Sequence, residues 1–97
     1  KNIFRYGGEE LVAPLKATEQ ESFEIAEKVR LAIAEHVFYG PKGKPFHMTI
    51  SAGVAQKKPG DNFVELLKRA DLSMYIAKER GRNKVVVDSD VRKADRD

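Results

Sequence analysis

Two long stretches repeat apolar residues every three or four positions, and each lies between short runs of β character. In the first, Ile25, Ala26, Val29, Ala32, Ile33 and Val37 form one stripe. In the second, Phe63, Leu66, Leu67, Ala70, Met74 and Ala77 form another. One-sided helices must cover an apolar partner, and the partner on offer is a sheet built from the short runs. Thr18 and Glu21 fit a capping box, which predicts a helix from about Glu19 to His36. Asp61 or Asn62 caps the second helix, and Gly81 is a natural residue just past its end.

The flanking runs read as strands. Ile3 to Tyr6 and Leu11 to Leu15 make a β-hairpin with Gly7 to Glu10 at its tip, and Pro14 marks the end or edge of the return strand. Phe46 to Ser51 alternates apolar and polar residues, so it is expected as a strand with one buried face, continued by Ala52 to Ala55. Gly53 inside that strand points to a bulge or to close backbone approach. Gly40 to Pro45 is a turn-rich connection, Lys57 to Gly60 a loop, and Val85 to Val87 a short apolar strand. The order β-β-α-β-α-β predicts an α+β fold, an α/β sandwich with a central sheet, an antiparallel hairpin and covering helices.

With 97 residues, this is the size of one small domain or of part of one. No apolar run reaches the length of about 18 residues needed to span a membrane. The chain starts Lys1-Asn2-Ile3-Phe4, without the pattern of a signal peptide. Cysteine is absent, which excludes disulfides, thiolate zinc sites and cysteine nucleophiles and fits a reducing cytoplasm. The net charge of +3 is too small to predict a nucleic-acid partner. Placement matters more than the sum: Lys78, Arg80, Arg82 and Lys84 crowd one stretch, opposed only by Glu79. Residues Val91 to Asp97 mix signs and read as solvated, so the predicted division is a domain over 1–88 and a charged tail over 89–97.

Two segments carry chemistry. In Arg5-Tyr6-Gly7-Gly8-Glu9-Glu10-Leu11, paired glycines let backbone come close to a ligand, and two carboxylates follow at the tip. Carboxylate oxygens suit Mg²⁺ with phosphates completing its shell; alone, the same run is also a tight turn with solvated glutamates. In Lys78-Glu79-Arg80-Gly81-Arg82-Asn83-Lys84 the cations complement a helix C-terminus, and they are equally able to hold phosphate oxygens. His36 and His47 lack metal-ligand spacing and read as structural or exposed, and Thr49 and Ser51 lack a His–Asp pair that would make either a nucleophile. Asp71 and Tyr75, four apart on the second helix, read as packing or local bonding.

Together the segments resemble the GGDEF family, the diguanylate cyclases of bacterial signalling. Arg5 to Leu11 is similar to the signature loop in its Gly-Gly-Glu-Glu form. Thr49 to Ala55 is similar to the family's central strand. Leu66 to Asp71, Met74-Tyr75, Ala77-Lys78 and Gly81-Arg82-Asn83 resemble the final helix and the turn after it. The resemblance implies condensation of two GTP into cyclic di-GMP with release of pyrophosphate, at a site shared by two subunits. It implies Mg²⁺ or Mn²⁺ as cofactor and Glu9 as a metal ligand. Glu9 and Glu10 are the implied catalytic carboxylates. Gly7 and Gly8 let the loop pass close to the nucleotide, while Lys78 and Arg82 bind its terminal phosphates. The implied partners are GTP, a second copy of the domain and an upstream sensory or receiver domain, with no nucleic acid and no direct membrane contact. The implied location is the cytoplasm.

Leu11 stands where the signature has phenylalanine, an apolar exchange at a strand position. The family's inhibitory Arg-x-x-Asp motif would place its Asp at position 1, which is Lys1. By resemblance, the chain corresponds to the C-terminal half to two-thirds of the domain. The strand and helices that carry a further metal carboxylate and the guanine-reading residues are expected ahead of it. This polypeptide alone is therefore expected to be inactive on GTP and to expose a sheet edge open to pairing with another chain. The alternatives are a non-catalytic GGDEF-type module that binds nucleotide or a partner protein, and an unrelated α+β interaction domain.

Overall fold

Helix α1 (Glu19–Glu35) begins where its capping box closes. The Thr18 hydroxyl accepts from the Glu21 N–H at 3.1 Å, and the Glu21 carboxylate accepts from the Thr18 N–H at 2.9 Å. Two amide donors at the helix start are thereby satisfied. Helix α2 (Phe63–Glu79) repeats the device with Asn62 and Glu65, at 2.9 and 3.2 Å. The choice between Asp61 and Asn62 resolves into two roles. Asn62 caps the helix, while Asp61 accepts the Lys58 N–H at 2.8 Å and pairs with Arg69.

The computed structural model describes residues 4–6 and 10–91. Strands β1 (Phe4–Tyr6) and β2 (Glu10–Val12) pair antiparallel with Phe4 opposite Val12 and Tyr6 opposite Glu10. The expected hairpin is present, with its return strand starting at Glu10 and ending before Pro14, which has no N–H to give a ladder.

The alternating run after α1 departs from expectation. Phe38–Tyr39 (β3) and Pro45–Phe46 (β4) form a small antiparallel hairpin instead. Its turn is closed by Gly40 N–H to Lys44 C=O at 2.9 Å, with Gly43 at φ 74°. Stacking of Phe38 on Phe46, ring centroids 5.6 Å apart, holds the pair together. Residues 47–51 take up no ladder, and Phe46 and Met48 are exposed rather than lining a buried face. Alternation prescribes an extended backbone, but a strand also needs a neighbour, and none lies beside this run among the described residues.

The packed centre is a parallel unit. Strand β5 (Ala52–Val54) pairs with β6 (Val85–Val87), with Gly53 opposite Val86, and α2 crosses between them. A Cβ on Gly53 would lie 3.0 Å from Met74 Cα and closer still to the Ala70 carbonyl oxygen. Only hydrogen there lets the helix sit backbone to backbone on the strand, the close approach that the sequence suggested. Val54, Ala77, Val86 and Val91 are buried, and Ser73 is fully enclosed with its hydroxyl on the Arg69 carbonyl at 2.9 Å. Leu66, Leu67, Ala70 and Met74 are half-buried, whereas Phe63, at the first position of α2, is exposed. Helix α1 lies on β6 and β5 and shows the outer part of its stripe, Ile25 and Val29, to solvent, while Val37, expected to extend the stripe, lies exposed beyond the helix end.

Val91 corrects the expectation of a tail solvated from that residue onward. It is 5% exposed and packs with Ala77 and Val86, on a helical turn over residues 88–91. The side chains of Glu19 and Arg69 fasten this turn. Ser89 Oγ donates to Glu19 at 2.5 Å, and Asp88 accepts from Arg69 at 2.9 Å. The architecture is α+β as expected, with the described strands paired two by two in three small sheets.

Candidate functional site at the end of helix α2

Helix α2 ends in an abrupt reversal. Arg80 closes the last turn with its N–H on the Ile76 carbonyl at 2.9 Å. Gly81 follows at φ 111°, a conformation in which a side chain would be strained, so the expected C-terminal glycine is in place. Arg82 and Asn83 then both adopt left-handed backbone, at φ 63° and 51°. Asparagine tolerates this region; arginine does so less readily, and each such residue costs about 1 kcal/mol.

Hydrogen bonds hold the turn against that cost. Arg82 N–H reaches the Ala77 carbonyl at 2.9 Å. Asn83 N–H donates to Ser51 Oγ at 3.2 Å. From α1, Arg30 Nη1 donates to Asn83 Oδ1 at 2.8 Å and to the Asn83 carbonyl at 3.3 Å. Arg30 is itself gripped by Glu27 through Nε at 2.9 Å and Nη2 at 2.6 Å. That grip holds the Glu27 carboxyl below its ordinary range and raises the Arg30 guanidinium further, the side-chain hydrogen bond being the main cause in both.

The turn presents four cations. Lys84 Nζ is drawn back onto the Arg80 carbonyl at 2.5 Å, while Arg80 is exposed. Lys78 is half-buried in the last turn of α2 and Arg82 is exposed beyond it; neither side chain has a hydrogen bond or ion pair to another described residue. A helix C-terminus is the negative end of the dipole, so an anion can bind there only through such cations. The arrangement suits phosphate oxygens, which Lys meets as a point charge and Arg with a planar fork.

Of the other residues singled out, Glu10 is the first residue of β2, opposite Tyr6. Gly7, Gly8 and Glu9 lie outside the described residues, as does the closeness of Glu9 to Lys78 and Arg82 that the sequence reading expects. Among the described residues no group of three His, Asp or Glu gathers that could hold a metal ion. Ser51 serves the turn through its hydroxyl, and His36 meets Phe38 edge-on at 4.5 Å. Asp71 and Tyr75 are exposed on α2. Sequence reasoning missed Arg30, which sits 53 residues from Asn83 with no local pattern linking them. No helix among the described residues is long and apolar enough to cross a membrane.

Comparison with known proteins gives the family. The family described as "Diguanylate cyclase, GGDEF domain" matches residues 1–84. The chain is 34% identical over 84 residues to diguanylate cyclase DosC of Escherichia coli K12, covering 86% of this chain and 18% of that protein. It superposes on the active GGEEF domain of a diguanylate cyclase from Vibrio cholerae with a TM-score of 0.75 and 28% identity, covering 90% of this chain and 56% of that one. It shares its fold with the GGDEF domain of DgcB from Caulobacter crescentus, solved in complex with c-di-GMP. There the TM-score is 0.71 at 24% identity, over 75% of this chain and 43% of that chain. With the family match spanning nearly the whole sequence, the chain belongs to the diguanylate cyclase GGDEF domain family.

Proposed function

We propose that the chain supplies the triphosphate-holding part of a diguanylate cyclase, with Lys78 and Arg82 binding the terminal phosphates of GTP. The observation that supports this most is the α2 turn: two cations without partners among the described residues, set on a backbone fixed by three consecutive positive φ angles. Gly7 and Gly8 would let the signature loop approach the nucleotide, and Glu9 and Glu10 would bring carboxylates to it. Glu9 offers hard oxygen donors suited to Mg²⁺ or Mn²⁺. The bound ion would neutralise charge on the phosphate oxygens.

In the proposed reaction two subunits, each holding one GTP, face each other. Each 3′-hydroxyl oxygen bonds to the α-phosphorus of the opposite nucleotide. The bond from that phosphorus to the pyrophosphate oxygen breaks, and the hydroxyl proton is lost. The residues of the turn serve positioning and charge compensation, which carry most of the catalysis in transfers of this kind. In the parent protein an upstream sensory or receiver domain would set the pairing of the two subunits, in the cytoplasm.

A polypeptide of this sequence alone is expected to hold triphosphate without forming cyclic di-GMP. The test is a ³¹P NMR titration of the chain with Mg²⁺·GTP beside a cyclase assay on the same sample. Saturable shifts of the β- and γ-phosphate signals, weakened by Arg82→Ala, support the reading. Shifts that Arg82→Ala leaves unchanged overturn the binding role, and robust cyclic di-GMP production overturns the expected inactivity. A parallel titration with cyclic di-GMP separates substrate binding from the alternative, a non-catalytic effector-binding module.

A further inference from the structure

We propose that Arg30 of α1 is a positioning residue for the phosphate-binding turn: gripped by Glu27, its guanidinium holds Asn83, and through Asn83 it fixes where Arg82 presents its charge. The inference rests on the reading of Arg82 as a phosphate ligand and adds to it a residue from a different element.

The geometry is specific to arginine. Glu27 takes the Nε and Nη2 edge in a two-point grip, which leaves Nη1 aimed at Asn83. Nη1 meets both the side-chain oxygen and the main-chain oxygen of Asn83, at 2.8 and 3.3 Å. Four of the five guanidinium N–H donors are thus used in one rigid plane. A lysine has one charge centre and cannot span both partners. The side-chain bond is the shorter of the two, and the main-chain bond adds a hold on the carbonyl that ends the left-handed pair. On the other side, Ser51 accepts the Asn83 N–H. Asn83 is therefore held through its N–H, its C=O and its side chain, by residues of two different segments.

Among the described residues, its neighbour Arg82 has only its own N–H bond to Ala77 to hold its backbone. Left-handed backbone is an unfavourable state for arginine, so without a clamp the pair relaxes to commoner conformations. The Arg82 side chain would then sample many positions, and a phosphate would have to order it on binding. Outer groups that orient metal ligands are worth about tenfold or more in affinity, and the lower figure is taken here for a group that orients a phosphate ligand.

The experiment uses the full chain, with magnesium tripolyphosphate as probe. Its affinity is read by ³¹P NMR, and hydrogen exchange is read at the Arg82 and Asn83 amides. Arg30→Lys is expected to weaken the probe about tenfold and to speed exchange at those two amides more than at the amides of β5, α2 and β6. On an Arg82→Ala background the same change is expected to cost less than about twofold, because a positioning residue has nothing left to position. Asn83→Gly keeps the left-handed backbone at no strain while removing Oδ1. It should move affinity in the same direction, which keeps the test open should Arg30→Lys fail to fold. Unchanged affinity and exchange in Arg30→Lys, with Arg82→Ala still weakening the probe, overturn the role of Arg30 and spare the phosphate reading. If Arg82→Ala costs nothing, both fall.

Discussion

Gly53 and Met74 meet through their main chains: a Cβ added to the strand residue would lie 3.0 Å from the helix residue's Cα. No side chain stands between β5 and α2 at this point, so the helix axis is set by the glycine. Gly53→Ala should force α2 off the strand and destabilise the fold by about 3 kcal/mol, the upper range for overpacking. Urea unfolding followed by circular dichroism checks this. A midpoint equal to that of the wild type would mean the helix moves at no cost.

Arg69 joins three segments. Its guanidinium reaches Asp61, Asp88 at 2.9 Å and the Gln56 carbonyl at 3.2 and 3.3 Å. It links the loop before α2 to the turn after β6. Arg69→Ala should cost about 2 kcal/mol, because it removes several charge-assisted bonds from partly buried groups. Arg69→Lys should recover only part of that loss, since one ammonium cannot serve all three. Thermal unfolding of the pair of variants checks the ranking.

Acid should loosen the molecule at two places. The Lys58 N–H, followed by the Arg69 charge and hydrogen bond, holds Asp61 below its ordinary range. The hydrogen bond from Arg30 does the same for Glu27. In both cases the folded pKa lies below the unfolded one. The stabilisation is therefore complete above the ordinary carboxylate value, about 4, and is lost as pH falls through the lower, folded value. The melting temperature should be flat from pH 7 to about 5 and fall below about 4. Asp61→Asn should lower the plateau and make the fall shallower. A melting curve that declines between pH 7 and 5 would point to other groups.

Lys78→Ala and Arg82→Ala should each weaken magnesium-triphosphate binding about tenfold. Both should leave the melting temperature within about 3 °C, because neither side chain has a hydrogen bond or ion pair to another described residue. Calorimetry on the two variants checks this split between binding and stability. A large drop in stability would show that these cations serve the fold.

Val91→Ser should cost about 2 kcal/mol by removing a buried apolar group from its contact with Ala77 and Val86. Differential scanning calorimetry checks whether this residue belongs to the cooperative unit.

What could be read from the residues was local. Thr18 with Glu21 caps a helix through bonds three residues apart, and such spacing is visible in a string of letters; the second cap could be narrowed only to Asp61 or Asn62, and the structure pairs Asn62 with Glu65. Gly53 was legible because a glycine inside an apolar strand needs a reason. The run from Phe46 to Ser51 misled because alternation fixes backbone direction and leaves the partner open. The partner of Phe46 turned out to be Phe38, in a hairpin too short to show a periodicity. Val91 was hidden among charges, although one apolar residue suffices to pin a turn. At the candidate site, Lys78, Gly81 and Arg82 stood out as a cluster. Arg30 did not, since a lone arginine on a helix reads as solvated and its link to Asn83 exists only once α1 lies across β6.

The three successive positive φ angles at Gly81, Arg82 and Asn83 also restrict which residues this corner can accept. Valine, isoleucine and threonine are disfavoured there by their branched Cβ, and proline by its ring. In a library randomised over positions 81 to 83, survivors selected for folding alone should already be enriched in glycine, asparagine and unbranched polar types. The corner's backbone thus narrows the chemistry available to it before any ligand selects among the survivors.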